Sequence, residues 1–357
     1  MDYEQKLQQI AETIGPANQA AADAARTRWN NVAKPIGSLG VLEDDIVRIA
    51  ALTGSADIDI SKRVIAVFCA DNGVVAQGVT QTDSQVTRAI CEGVSKKTAS
   101  SSKMAAAARM DAVAVDMGML EPARTPGVWD MRIAAGTQDI SLGPAMSRQQ
   151  AAHAILNGVE AVRRLANQDY RIVAVGEMGI GNTTTATAMT CAFLGLDPLS
   201  ATGRGAGLSD AGLARKRRAV RRALDVNAPT DAEDALDVLA KLGGLDIAGM
   251  AGAYLGGALV GVPTVVDGFI SAVAALTAVR LCPACKKALL ASHVSAEPAA
   301  RAVMDALGLP AAIDAGLRLG EGTGAACLVP LLDMALALYD GTTFADAGVE
   351  PYEVNPQ

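Results

Sequence analysis

The sequence predicts an α/β protein, a doubly wound and mainly parallel sheet flanked by helices. Three observations carry that expectation. Short β-branched runs alternate with longer helical stretches, the order that parallel strands with helical crossovers require. Several runs end in acidic or glycine-rich turns, as Val64–Ala70 does at Asp71-Asn72-Gly73 and Ile172–Val175 does at Gly176. Half of the 357 residues are hydrophobic but only 3% are aromatic. The core is therefore built from Ala, Val, Leu and Ile, which suits close helices on a parallel sheet. The length allows one large core plus an appended piece.

In chain order, residues 2–29 place Leu7, Ile10 and Ile14 at roughly helical spacing and predict one or two amphipathic helices. Lys34-Pro-Ile-Gly-Ser-Leu-Gly-Val-Leu-Glu43 breaks helix at Pro35, Gly37 and Gly40 and restarts it at Leu42-Glu43. Val64–Ala70 is the first strand, and it delivers Asp71 and Asn72 where open α/β sheets bind ligands. A polar loop, Gly78–Thr87, runs into a helix over 86–110; Ala112–Val115 then repeats the scheme, ending at Asp116 and Gly118. Residues 121–147 are Pro/Gly-rich without periodicity and predict an irregular excursion, at the edge of the site or in an oligomer contact. A helix over 148–166 leads into the strand Ile172–Val175.

The stretch after that strand is the centre of the chain. Gly176, Gly179 and Gly181 are followed by Asn182-Thr183-Thr184 and an Ala/Thr/Met helix. The first N–H groups of a helix have no partner within it, so strand, glycine turn and helix start form a ready anion site. The plain alternative is a strand-to-helix turn, since the stretch matches the dinucleotide pattern imperfectly and lacks the Lys of a P-loop. Ser209-Asp210 caps a helix through 225 that carries Arg215-Lys-Arg-Arg218. A helical region over 231–260 follows, where Gly252/Gly256 and Gly257/Gly261 favour close helix packing; Val262–Val266 is then a strand ending at Asp267-Gly268. Ala288–Ser292 predicts a last strand, an apolar helix runs to Leu338, and 341–357 reads as a surface tail. Alternation gives the class but not the order of the strands.

Composition excludes several function classes. A net charge of −7 argues against nucleic acid as a partner. The start, MDYEQKLQQI, has no apolar signal core, which predicts a cytoplasmic protein. The longest apolar stretch, Ile247–Val266, is interrupted by glycines and Pro263 and reads as buried helix and strand, not a membrane span. The six cysteines sit mostly in apolar surroundings and read as small core residues, with Cys282-Pro-Ala-Cys285 a lone pair. Only His153 and His293 are present, so a histidine-rich metal site is not expected.

Three glycine clusters stand at strand-to-helix junctions: Gly179-Ile-Gly181, Gly203-Arg-Gly-Ala-Gly207 and Gly320-Glu-Gly-Thr-Gly324. They suggest one pocket above the sheet, with one or two loops wrapping a phosphate. In the third, the flanking glycines leave the carboxylate of Glu321 open to a ligand, as a general base requires. The alternative is that Glu321 caps the helix beginning near Thr323.

The segments KPIGSLGVLE (34–43), DNGV (71–74), VDMGM (115–119), GEMGIGNTT (176–184), GRGAGL (203–208), DGFISAVAAL (267–276), SHVSAEP (292–298) and RLGEGTGAA (318–326) run through nearly the whole chain. In sequence and order they resemble the nicotinate-nucleotide–dimethylbenzimidazole phosphoribosyltransferase (CobT) family. The resemblance implies transfer of phosphoribose from nicotinate mononucleotide to an aromatic lower-ligand base. The anomeric carbon inverts, α-ribazole phosphate forms for cobamide synthesis, and no cofactor or metal is required. It also implies a dimer, and a parallel-sheet large domain (61–310) with a small helical domain from both chain ends (1–60 and 311–357). By the same resemblance Glu321 is the general base and Glu177 and Lys216 are the other charged active-site positions. Gly179, Gly181, Asn182, Gly203, Arg204, Gly205, Ser295 and Gly320 then hold the phosphoribose, and Thr80, Ser84 and Gln85 face the acceptor. That leaves Arg215, Arg217 and Arg218 on a solvated face.

Two departures bear on the acceptor. The family usually reads Val-Ser-x-x-Pro-Gln-x-Val-Thr where this chain has Val79-Thr-Gln-Thr-Asp-Ser-Gln-Val-Thr87, so Asp83 and Ser84 replace the Pro-Gln pair. The usual Glu-Pro-Gly-His is Glu297-Pro-Ala-Ala300. The alternatives are a phenol, cresol or adenine acceptor, or a subunit of a heterodimer of similar chains that activates phenols.

Overall fold

The strands are β1 (Arg63–Ala70), β2 (Asp111–Gly118), β3 (Trp129–Asp130), β4 (Ile172–Met178), β5 (Thr264–Val266) and β6 (Leu289–Ala291), in a computed structural model that describes residues 2–228 and 234–352. They form one sheet in the order β3-β2-β1-β4-β5-β6, and every pairing is parallel. This is the order of doubly wound nucleotide-binding sheets, with its topological switch between β1 and β4. There the chain leaves one strand toward β2 and the other toward β5, so the loops part and open a crevice.

Strand residues alternate between two apolar layers, as a period of two requires. Val64, Ala66, Phe68, Val173, Val175 and Val266 join the layer of helices Arg148–Asn167, Leu245–Val260 and Phe269–Leu281. Ile65, Val67, Ile172, Ala174 and Val265 join Trp29, Ile46, Ile49, Leu328 and Leu332 on the other face. With both faces covered, the strands read as continuous apolar runs, which is why they were visible in the sequence.

The glycine spacing in the apolar stretch marks a real close approach. A Cβ on Gly252 would lie 1.9 Å from the Ile155 carbonyl oxygen, and one on Gly158 would lie 2.0 Å from that of Gly249. Helices Leu245–Val260 and Arg148–Asn167 therefore touch backbone to backbone. No helix among the described residues is long and apolar enough to cross a membrane.

The second helix, Gln19–Asn31, meets the C-terminal part of the described chain on one layer. The rings of Trp29 and Tyr339 are 4.9 Å apart, and Val32 bridges Thr343 in antiparallel fashion. Residues 341–352 are mostly exposed, as expected of a surface tail, though Phe344 is buried and Thr343 bridges Val32; 353–357 lie outside the described residues. The first helix, Tyr3–Thr13, lies on the opposite layer, where Tyr3 stacks on His153 at 4.1 Å. Arg63 at the head of β1 grips Asp333 with two hydrogen bonds of 2.8 and 2.9 Å, anchoring helix Thr323–Tyr339 to the sheet.

The structure departs from the sequence reading at three elements. The helix expected over 86–110 is two, Gln85–Ser95 and Ser100–Ala107, because Lys97 turns left-handed at φ 60°. The region 231–260 holds Ala235–Leu242 and Leu245–Val260, broken at Gly243-Gly244, and 231–233 lie outside the described residues. The excursion 121–147 contains the edge strand β3, whose two residues are too few to show a period.

Candidate active site at the switch point

The loops after β1, β4 and β5, with the third glycine cluster, enclose a cavity of about 310 Å³, within the usual range for small-molecule sites. Register places Glu177 beside Phe68 and Met178 beside Cys69, so the carboxylate leaves the sheet at the switch point itself. The loop carrying Glu321 lies directly on this strand: a Cβ on Gly176 would fall 2.5 Å from the Gly322 nitrogen and 2.6 Å from the Glu321 carbonyl carbon. Gly320 faces the Glu177 side chain at similar range, 2.5 Å from Oε1 to the missing Cβ.

Asp267, at the end of β5, takes the capping task at helix Thr323–Tyr339 that the sequence allowed to Glu321. Its carboxylate accepts from the Ala325 N–H at 2.9 Å and the Gly322 N–H at 3.3 Å, so it caps helix Thr323–Tyr339. Glu321 is thereby free of that task. It adopts left-handed backbone at φ 59°, lines the cavity, and accepts one hydrogen bond of 3.1 Å from the Ser101 N–H. A non-glycine residue held there costs about 1–2 kcal/mol, the kind of local strain that collects at functional sites.

The opposite wall is basic. Lys216 projects inward from helix Asp210–Asn227, 1% exposed, and donates to Thr183 Oγ1 at 2.8 Å. Burial pushes its ammonium down to about 8, against the Glu297 carboxylate, which favours the charged form. Gly205 covers the pair, its missing Cβ 3.3 Å from Lys216 Nζ and 3.0 Å from Thr183 Oγ1. Ser209 caps the same helix by accepting from the Gly212 N–H. Arg215 and Arg218 are exposed and Arg217 is half-buried; none of the three lines this cavity.

The acid wall has a second layer. Asn182 Nδ2 donates to both Glu177 Oε2 and Asp246 Oδ2, the latter at 2.8 Å. Burial pushes the Glu177 carboxyl up to about 8; the Asn182 hydrogen bond opposes this, and the carboxylates of Asp246, Asp267 and Glu321 add to it. Burial raises Asp246 as well, to about 6, against the Asn182 hydrogen bond.

The cavity wall includes Glu177, Gly179, Gly181, Asn182, Arg204, Gly205, Lys216, Ser295, Gly320, Glu321 and Thr80. Gly203, Ser84 and Gln85 lie off it. Gly203 instead receives Glu297, whose Oε2 would sit 1.9 Å from a Cβ there. Ser84 heads helix Gln85–Ser95, and Gln85 is exposed, its N–H bonded to Asp83 Oδ1 at 3.0 Å. The wall beside Thr80 is supplied by Gln81, Thr82, Val86 and Ile90, and Gln81 donates to the Ala206 carbonyl at 3.2 Å, tying this loop to the second glycine cluster. Sequence reasoning missed Asp246, the capping role of Asp267, and His293, which is buried on the wall against Ser292 Oγ at 3.0 Å.

A doubly wound sheet whose switch-point cavity is lined by a buried lysine and by the carboxylates of Glu177 and Glu321 has the features of a group-transfer enzyme acting on a phosphorylated substrate. A family model described as phosphoribosyltransferase matches residues 14–349. The nicotinate-nucleotide–dimethylbenzimidazole phosphoribosyltransferase of Acetivibrio thermocellus is 40% identical over 97% of this chain and 99% of its own length. The protein of the same name from Geobacter metallireducens is 41% identical over 96% of this chain and 98% of its own. CobT from Thermus thermophilus matches in structure with a TM-score of 0.87 and 39% identity, over 93% of this chain and 99% of that one. The chain belongs to the nicotinate-nucleotide–dimethylbenzimidazole phosphoribosyltransferase family.

Proposed function

We propose that this phosphoribosyltransferase moves 5-phosphoribose from nicotinate mononucleotide to 5,6-dimethylbenzimidazole or a related lower-ligand base, releasing nicotinate and α-ribazole phosphate. The observation that carries the reading is the lining of one cavity by both kinds of group: Lys216, bonded to Thr183 beneath Gly205, and the carboxylates of Glu177 and Glu321. The names of the relatives agree with it.

In this reading the nucleotide phosphate sits against Lys216 and the N–H groups of the glycine loops. The C1′–N bond of the donor breaks and its electron pair goes to the pyridine nitrogen, already a good leaving group because it starts as a pyridinium. A ring nitrogen of the acceptor attacks from the opposite face, which inverts C1′. The acceptor's remaining N–H proton passes to Glu321. What the protein supplies is alignment and a base, and neither needs a metal or cofactor. Neutral Glu177 acts as a hydrogen-bond donor at neutral pH, a role that a raised carboxyl pKa permits.

We further propose a cytoplasmic homodimer and a small helical domain from residues 1–60 and 311–357; the contact of Trp29 with Tyr339 supports the joining of these segments, whereas helix Tyr3–Thr13 packs on the opposite layer. Of the proposed acceptor-facing set, Thr80 lines the cavity with Gln81 beside it, while Ser84 and Gln85 lie off the wall. Incubation with nicotinate mononucleotide and a panel of benzimidazoles, phenols and adenine, with products identified by mass, tests the reading. A benzimidazole ribotide as the main product is expected. A folded dimer that forms no product with any acceptor would overturn it.

A further inference from the structure

Asp246 has no place in the reaction as described. It is completely buried at the head of helix Leu245–Val260, and its Oδ1 has no hydrogen-bond partner. No cation among the described residues pairs with it. Its carboxylate faces the backbone N–H groups of Asp246 and Ile247 at the helix start, which favour its charged form. The backbone is shaped to admit it: a Cβ on Gly179 would lie 2.4 Å from Oδ2, and one on Gly244 would lie 2.4 Å from Oδ1. Its partner is the Asn182 amide, which reaches Glu177 from the same nitrogen.

We propose that Asp246 is a positioning residue for Glu177, orienting it through the shared Asn182 amide and setting its charge by proximity. The other acids that face Glu177 are committed elsewhere. Asp267, from the end of β5, is bound to the Gly322 and Ala325 N–H groups, and Glu321, from the third glycine cluster, is bound to the Ser101 N–H. Asp71, from the end of β1, faces Asp246 and raises it. Only Asp246 touches the group that holds Glu177. Burial is the main cause that raises Glu177, and the negative charge of Asp246 adds to it. The functional part of the inference rests on the role proposed for Glu177; the electrostatic part does not.

The test is a carboxyl-¹³C titration of protein labelled at glutamate, with the Glu177 resonance assigned by its loss in Glu177→Gln. In Asp246→Asn the Asn182 hydrogen bond can persist while the charge is gone, so the Glu177 midpoint should fall from about 8 by about one pH unit or more. An unchanged midpoint in a folded variant overturns the proposal. In steady-state assays the limb of the pH–rate profile that vanishes in Glu177→Gln should move to lower pH in Asp246→Asn. Asp246→Ala, which removes the hydrogen bond too, should lower kcat about tenfold or more with little change in KM. Wild-type kcat in folded Asp246→Ala likewise overturns it. Failure of the phosphoribosyl-transfer reading shows differently, as no product from the wild type, and leaves the titration result standing.

Discussion

Gly176→Ala tests whether the glycine loop and the strand beneath it set the position of Glu321, the proposed base. The added methyl group would meet the Gly322 nitrogen at 2.5 Å, the Glu321 carbonyl carbon at 2.6 Å and the Glu321 carbonyl oxygen at 2.7 Å, where ordinary contact begins near 3.4 Å. All three are backbone atoms, so no side-chain rotation relieves the clash. The loop must lift by roughly 1 Å, and misplacement on that scale costs about 10²-fold in rate. Overpacking adds about 1–3 kcal/mol of destabilisation, read as a melting temperature a few degrees lower. The Lys216 end lies on another element, so KM for the nucleotide should stay within about threefold while kcat falls. Steady-state kinetics with thermal melting measures both. A variant with wild-type kcat would show that the loop does not depend on this contact, and the positional argument would be wrong.

Glu321→Gln keeps the geometry but removes the base, so kcat should drop by about 10²–10⁴-fold with nucleotide affinity nearly unchanged; turnover near wild type would rule out Glu321 as the proton acceptor. Lys216→Met should raise KM for nicotinate mononucleotide by about 10–100-fold, the worth of a charged hydrogen bond. The lysine, lowered to about 8 by burial, is charged below that pH and neutral above it. Wild-type nucleotide affinity should therefore weaken as pH rises through 8, and the methionine variant should lose that dependence; titration calorimetry across pH 6–10 checks both. Gly252→Ala, whose Cβ would lie 1.9 Å from the Ile155 oxygen, should cost about 3 kcal/mol or more in denaturant unfolding and leave the activity of the folded fraction intact.

What the sequence shows of this fold follows from burial. Strands covered on both faces, such as Val64–Ala70 and Ile172–Val175, announce themselves as apolar runs. The Gly252/Gly256 spacing likewise signals a helix contact because only a missing Cβ allows it. The pairing order is silent, since it depends on which crossover goes to which side. Strand β3 is silent too, being two residues at the edge. In the site, glycines that let other groups approach, such as Gly205 beside Lys216 and Gly320 beside Glu177, are legible as clusters. Asp246 is not, because its importance comes from a contact with Asn182 that only the folded chain brings about.

Glu321 illustrates how a residue's role is decided away from its own sequence. The motif Gly-Glu-Gly-Thr-Gly allows two chemistries for one carboxylate, helix cap or free base, and nothing within the motif chooses between them. The first N–H groups of helix Thr323–Tyr339 must be satisfied by some acceptor. Because Asp267 arrives from β5 and takes the Gly322 and Ala325 N–H groups, the helix no longer needs Glu321. The same arrangement predicts that Asp267→Ala costs more than a cap. Loss of the cap alone costs about 0.5–2 kcal/mol, but the freed N–H groups would then compete for the Glu321 carboxylate and draw it from the cavity. Asp267→Ala should therefore lower kcat well beyond what its stability loss explains, and Asp267→Asn, which still offers an oxygen to the Ala325 N–H, should recover much of it. Equal activity in the two variants would mean that Glu321 is held in the cavity by its own left-handed backbone and its Ser101 contact, independently of the cap.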